Sequence, residues 1–289
     1  MESSTYSDTS STAFLEGLPD ETPKYRFINV PDLERKVAVH EQDLLDKKTT
    51  NQFVVFLDIP DRAVDRITAE SSPISHYRIF FAHSAKVLII KMTSMIHERA
   101  AAVFSNLFEA KVSTMGLSND LISVLTAQQS YNGVRKCPDN QWGLQPLPQH
   151  QFAPSLILEC GYSESPLPRL AIDARWWLES SQSPVEMVIT IKICHGNAKI
   201  IVQKWELGTR RQGSYSNARA NSPLAVKTGE VSISRQNNNT VVSGTIVLPF
   251  DKIFRRPPNP AQPLEGDIMF TVQDLETIAE QTWRIQGFM

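Results

Sequence analysis

Residues 155–160 read Ser155-Leu156-Ile157-Leu158-Glu159-Cys160, followed by Gly161, Tyr162 and Ser163. A run this short and this apolar suits a central strand covered on both faces. Glu159 is the residue that does not belong in it. An unpartnered carboxylate buried there costs roughly several kcal/mol, so it reaches water at the strand's mouth, is partnered, or is protonated. Just downstream, Pro166 and Pro168 stand where a helix starts, because proline is tolerated in the first turn. Leu170, Ala174, Trp177 and Leu178 make that helix's buried stripe. Residues 185–193 then alternate cleanly, with Val185, Met187, Ile189, Ile191 and Ile193 on one face. Strand, helix, strand is the local pattern.

The pattern extends upstream. Residues 77–81 and 86–92 read as strands, and a helix starts near Ser94 with Ile96, Ala100, Val103 and Leu107 at helical spacing and Phe104 and Phe108 beside them. Gly116 ends it. A second, shorter helix is expected over 119–128, and a strand over 133–138. Downstream, residues 199–205 are a further strand. Residues 207–240, rich in Ser, Asn, Gly and Arg, read as a long loop or loose hairpin, and residues 241–250 as a strand. Thr271 followed by Asp274 resembles a helix-start box. The chain is thus expected to be α/β, with a mixed central β-sheet flanked by helices. Three segments are expected: a disordered lead-in over 1–23, an acidic appendage over 24–74 (with a strand at 53–59 and a short helix at 61–70), and the main α/β domain over 75–289.

Asp139 follows Pro138 at the end of a short strand, twenty residues before Glu159. A divalent cation shared by two carboxylates relieves the cost of placing both near a core. Hard cations such as Mg²⁺ take oxygen ligands and commonly use one or two carboxylates. Such a metal activates water for attack on a phosphodiester. As a plainer reading, Pro138-Asp139-Asn140 is good turn chemistry. Arg169 and Asp173, four apart, also suit an ordinary helix ion pair.

These residues carry a resemblance. Pro138-Asp139 and then Glu159 are similar to the acidic pair of the PD-(D/E)XK nuclease superfamily, whose core is restriction-endonuclease-like. Lys136 to Asp139, Glu159 to Ser165 and Asp173 to Leu178 look like an uncharacterised fungal branch of it. The resemblance implies a metal-dependent phosphodiesterase acting on DNA or RNA, with Asp139 and Glu159 holding Mg²⁺ or Mn²⁺. Some members use an acid on the preceding helix, which is Glu98 here. By helical geometry Glu98 lies off the apolar stripe, as an ordinary solvated glutamate does. The lysine that normally stands two residues after the second acid is replaced by Gly161. Arg169 and Lys192 are the candidates to supply the basic group. If neither does, the resemblance implies a catalytically inactive, nuclease-like binding protein, accessory to a fungal pathway.

The chain has 289 residues, 41% hydrophobic, with 29 Lys+Arg against 31 Asp+Glu. Proteins that grip phosphates along their whole length are usually basic, so tight non-specific nucleic-acid binding is not the global character here. Residues 1–70 carry 14 acidic and 8 basic side chains, a net of −6, and the remainder is +4. Between Glu206 and Glu230 there is no acid, while Arg210, Arg211, Arg219 and Lys227 lie near Trp205 and Tyr215. Interleaved bases and aromatics can bind a nucleic-acid strand, and a plain polar loop has the same composition. Three scattered cysteines, no signal peptide and no apolar run of about 18 residues imply a cytoplasmic or nuclear protein, neither secreted nor membrane-spanning. No HExxH, triad or GxSxG spacing supports small-molecule hydrolysis.

Overall fold

The computed structural model describes residues 14–69, 71–145, 152–163, 168–208 and 224–289. Its contacts divide the chain into two units, neither of them one continuous stretch. The first takes residues up to 94, 127–137 and 163–172, and the second takes 95–126, 138–162 and 173–289.

The first unit opens with β1 (Lys24–Arg26), α1 (Val30–Leu45), β2 (Phe53–Leu57), α2 (Asp61–Ile67), β3 (Arg78–Ala82) and β4 (Val87–Lys91). The chain leaves for α3 (Met95–Thr114) and β5 (Leu121–Ser123) of the second unit, then returns as β6 (Gln129–Tyr131) and β7 (Val134–Lys136). Six strands form one mixed sheet in the order β1-β2-β4-β3-β7-β6, with β1 and β2 parallel. The boundary expected after residue 74 therefore falls inside a sheet, because β2 and β4 pair across it. α1 was not anticipated, although its signals are present. The Asn29 side chain accepts the Asp32 N–H at 2.9 Å, Pro31 stands in the first turn, and Val30, Leu33, Val37 and His40 are buried at helical spacing. Its many charges mask that stripe.

The second unit continues with β8 (Asn140–Leu144), β9 (Pro154–Ser163), α4 (Pro168–Glu179), β10 (Met187–Cys194), β11 (Lys199–Gly208), β12 (Leu224–Gln236), β13 (Asn239–Val242), β14 (Ile246–Leu248), α5 (Phe250–Phe254), β15 (Ile268–Phe270) and α6 (Val272–Gln286). α4 begins in the first unit and ends in the second. Seven strands line up as β13-β12-β11-β10-β9-β8-β5, and β14 pairs with β15 separately. Leu156, Leu158 and Cys160 of β9 and Met187, Ile189, Ile191 and Ile193 of β10 share one apolar cluster with α3 and α6. Burying each large side chain of that kind stabilises the fold by about 2 kcal/mol. Phe104 stacks on Phe270 at 4.5 Å, and α6 is closed by the Thr271–Asp274 capping box and by Gly287 at φ 81°.

Three expectations are revised here. Residues 119–128 hold β5 rather than a helix. Within 207–240 the described residues hold the end of β11, then β12 and β13, which pair antiparallel; of the two readings, loop or loose hairpin, the hairpin is found, as regular strands of the sheet. Only Val231 and Ile233 of β12 reach the core cluster, so the strand's sequence looks like a loop. The expected strand over 241–250 is divided between β13, β14 and the start of α5. Among the described residues no helix is long and apolar enough to cross a membrane.

Candidate functional site

Asp139 stands where the chain changes sheets. β7 ends at Lys136 and β8 begins at Asn140, and between them Pro138 has no N–H to give a ladder. The Asp139 N–H donates to the Leu158 carbonyl at 3.1 Å, although Leu158 is the register partner of Asn140. Two residues thus meet one on β9, and the chain turns aside. The Asp139 carboxylate fills the gap: its Oδ2 accepts the Cys160 N–H at 2.7 Å, a bond a backbone carbonyl would take in a longer β8.

His97 completes this arrangement from α3. Its Nε2 lies 3.1 Å from Asp139 Oδ2 and 3.1 Å from the Cys160 carbonyl oxygen. Both partners are acceptors, so Nε2 carries the proton and donates. The side chains of His97 and Asp139 are both completely shielded from solvent. Next to them, Asn140 donates to Ser105 Oγ of α3 at 2.9 Å and accepts from Ser123 of β5 at 2.7 Å.

Glu159 is buried on the other side of its strand. Side chains alternate along β9, and Leu156, Leu158 and Cys160 go to the α3 face. Glu159 faces α4, where its Oε1 accepts the Trp177 indole N–H at 2.7 Å. The alternation of β10 puts Lys192 on that same face, opposite Ile191 and Ile193. Lys192 is buried, and burial holds its ammonium below the ordinary lysine pKa. Thr190, Gln203 and Trp205 form the rest of a polar row there: the Trp205 indole donates to Thr190 Oγ1 at 3.3 Å, and Gln203 Nε2 donates to Glu230 at 2.7 Å.

The candidates of the acidic site are therefore distributed. Asp139 bonds toward α3, while Glu159 and Lys192 face α4. Glu98 is half exposed, with Oε1 3.7 Å from His97 Nδ1. Arg169 belongs to the first unit. There its Nη1 donates to the carbonyls of Phe14 at 2.9 Å and Glu16 at 3.3 Å. Its guanidinium also sits over the Phe80 ring at 5.4 Å. Arg210, Arg211 and Arg219 lie outside the described residues, while Lys227 is on β12 beside Glu230. Among the described residues no group of three or more His, Cys, Asp or Glu side chains is placed to hold a metal ion. His97 is the residue that motif spacing missed. The available signal was a histidine three and seven residues before Ala100 and Phe104, on the face that is buried.

No protein-family model and no curated protein matches this chain. Among solved structures, one from Anabaena variabilis, a "putative nuclease belonging to DUF820", is similar over 70% of this chain and 90% of its own, at 12% identity and a TM-score of 0.34. A likeness that slight carries no argument about the site.

Proposed function

We propose that the second unit is a nuclease-type domain for nucleic-acid phosphodiesters, with Asp139 and Glu159 as its functional acids. The observation that supports this reading is their joint placement. Both are buried, Asp139 leads into β8, and Glu159 lies in the antiparallel neighbour β9, which α4 and β10 follow. Buried carboxylates on neighbouring strands are costly and concentrate at functional sites.

Mg²⁺ or Mn²⁺ is the cofactor this reading calls for, with Asp139, Glu159 and Glu98 as the ligands that the resemblance implies and Lys192 as the basic group of the same unit; Arg169, the other candidate, belongs to the first unit. The oxygen donors are right in type for a hard cation. Their placement is not: Asp139 bonds to His97 of α3 and Glu159 to Trp177 of α4, so as held they do not form one cage.

The same placement, with Gly161 where the family has lysine, favours a second reading: a nuclease-like protein that binds without cleaving. One experiment separates the two. The purified chain is incubated with Mg²⁺ or Mn²⁺ and with single- and double-stranded DNA and RNA, and its melting is followed as metal is added. Cleavage that disappears in Asp139→Ala and Glu159→Ala supports the first reading. No cleavage of any substrate and no metal-dependent rise in melting temperature overturns it and leaves the second.

A further inference from the structure

In the second unit α3 and α6 lie side by side and antiparallel. Lys111, in the last turn of α3, meets Asp274, in the first turn of α6, at 2.8 Å. Near the other end of the pair, Arg99 Nη2 donates to Gln281 Oε1 at 2.6 Å. Around that second contact the helices leave a groove of about 450 Å³, lined by Arg99 of α3 and by Thr277, Glu280, Gln281, Arg284 and Ile285 of α6. That volume suits a small organic molecule. The polar groups in the groove are committed unequally. Thr277 Oγ1 donates to the Gln273 carbonyl of its own helix at 2.8 Å, and Glu280 Oε1 accepts the Thr240 hydroxyl of β13 at 3.1 Å. Gln281 spends its oxygen on Arg99, which leaves its amide –NH₂ as a donor. Among the described residues Arg99 makes no ion pair, and the Arg284 side chain makes neither an ion pair nor a hydrogen bond. Two guanidinium groups and one carboxylate leave one positive charge in the groove.

We propose that this groove binds a small organic anion, its phosphate or carboxylate headgroup held by Arg99, Arg284 and the Gln281 amide and its carbon skeleton lying against Ile285. Guanidinium donors match the oxygens of both headgroups and bond them two at a time. A single arginine on an open surface gives little, because water and salt screen it. Here two arginines without a carboxylate of their own face one concavity, and Ile285, 41% exposed, gives it an apolar wall. Glu280 sets the limit. Its charge opposes the ligand and keeps the affinity modest, in the millimolar range. The site uses neither Asp139 nor Glu159, so it stands or falls apart from the nuclease-type reading.

The test is isothermal titration of the full chain with phenyl phosphate and with benzoate, which share a ring and differ in headgroup. At least one should bind in the millimolar range, and the tighter of the two identifies the headgroup. Arg99→Gln and Arg284→Gln should each weaken that binding on the order of tenfold, and added sodium chloride should weaken it in the wild type. Glu280→Gln keeps an oxygen for Thr240 and removes the opposing charge, so it should tighten binding severalfold. Disruption of the helix pair would not produce such a gain. Both arginines are exposed, so neither substitution opens the core, and circular dichroism checks the fold of all three variants. A wild type that binds neither probe overturns the proposal. So does an affinity unchanged in both arginine variants, or one not raised in folded Glu280→Gln.

Discussion

His97 Nε2 and Asp139 Oδ2 lie 3.1 Å apart with both side chains fully enclosed, so α3 and the entry to β8 are joined through a histidine and an acid. The same nitrogen reaches the Cys160 carbonyl, which ties in β9 as well. Removing the imidazole leaves a buried carboxylate short of a donor. His97→Ala is expected to destabilise the protein by about 2–4 kcal/mol, measured by urea unfolding. A loss within experimental error would show that the contact holds nothing together.

Trp177 and Glu159 make the matching contact on the α4 face. Trp177→Phe keeps a ring but removes the donor, and is expected to cost about 1–3 kcal/mol. Glu159→Met removes the acceptor and its charge. In the double variant most of the Trp177→Phe penalty should disappear, giving a coupling of about 1 kcal/mol or more in a double-mutant cycle. Additive losses would mean that the indole matters through packing alone.

Lys192→Met is expected to raise stability by about 1 kcal/mol near neutral pH, because it removes a buried ammonium and keeps the stem. The sign follows from its lowered pKa. The folded state binds this proton less well than the unfolded chain, so the wild type is penalised at pH values below the folded pKa. The penalty fades as pH rises through that value toward 10.5. The melting-temperature gain of the variant should therefore shrink in alkali. If Lys192 also serves a substrate, the stabilised variant will bind or act less well.

Acid should loosen the segment that leads to β15. Arg256 grips Glu265 with two bonds, at 2.6 and 2.8 Å, and the Asn259 N–H adds a third at 2.6 Å. The Arg256 guanidinium, first, and the Asn259 N–H, second, lower the Glu265 pKa from 4.5 to about 2. A depressed carboxylate contributes stability that is full above its unfolded pKa and is lost as pH falls through the folded one. The window is therefore between 4.5 and about 2. Glu265→Gln should remove this part of the acid dependence, seen as a flatter melting-temperature profile across that range.

Much of this was legible in the sequence where burial is one-sided. Residues 185–193 alternate, and Met187, Ile189, Ile191 and Ile193 do enter the core cluster. Thr271 and Asp274 do form the capping box, and Gly116 does close α3 with φ 79°. The stripe of α3 was read slightly off. Ile96 and Leu107 only border the core, while Phe104 and Phe108 are inside it. That offset hid His97, which follows the inner face. β12 was hidden because most of its side chains face away from the core and give no alternation. Sequence order pairs Asp139 with Glu159, but order does not report rotamers. Whether Asp139 bonds toward α3 depends on the irregular register at Leu158, which no spacing encodes.

The discontinuous first unit bears on how the chain can be cut. β3 sits between β4 and β7, and β7 is supplied from residues 134–136, beyond the whole of α3. A fragment ending at residue 94 would have every residue of β1 to β4 and still expose one side of β3, the strand that contains Phe80 and Phe81. An uncovered apolar strand edge is a template for pairing with another chain. Such a fragment should self-associate, and joining residues 127–137 to it by a short flexible linker, without the second unit's residues 95–126, should cover that edge and reduce the association, distinguishable by sedimentation.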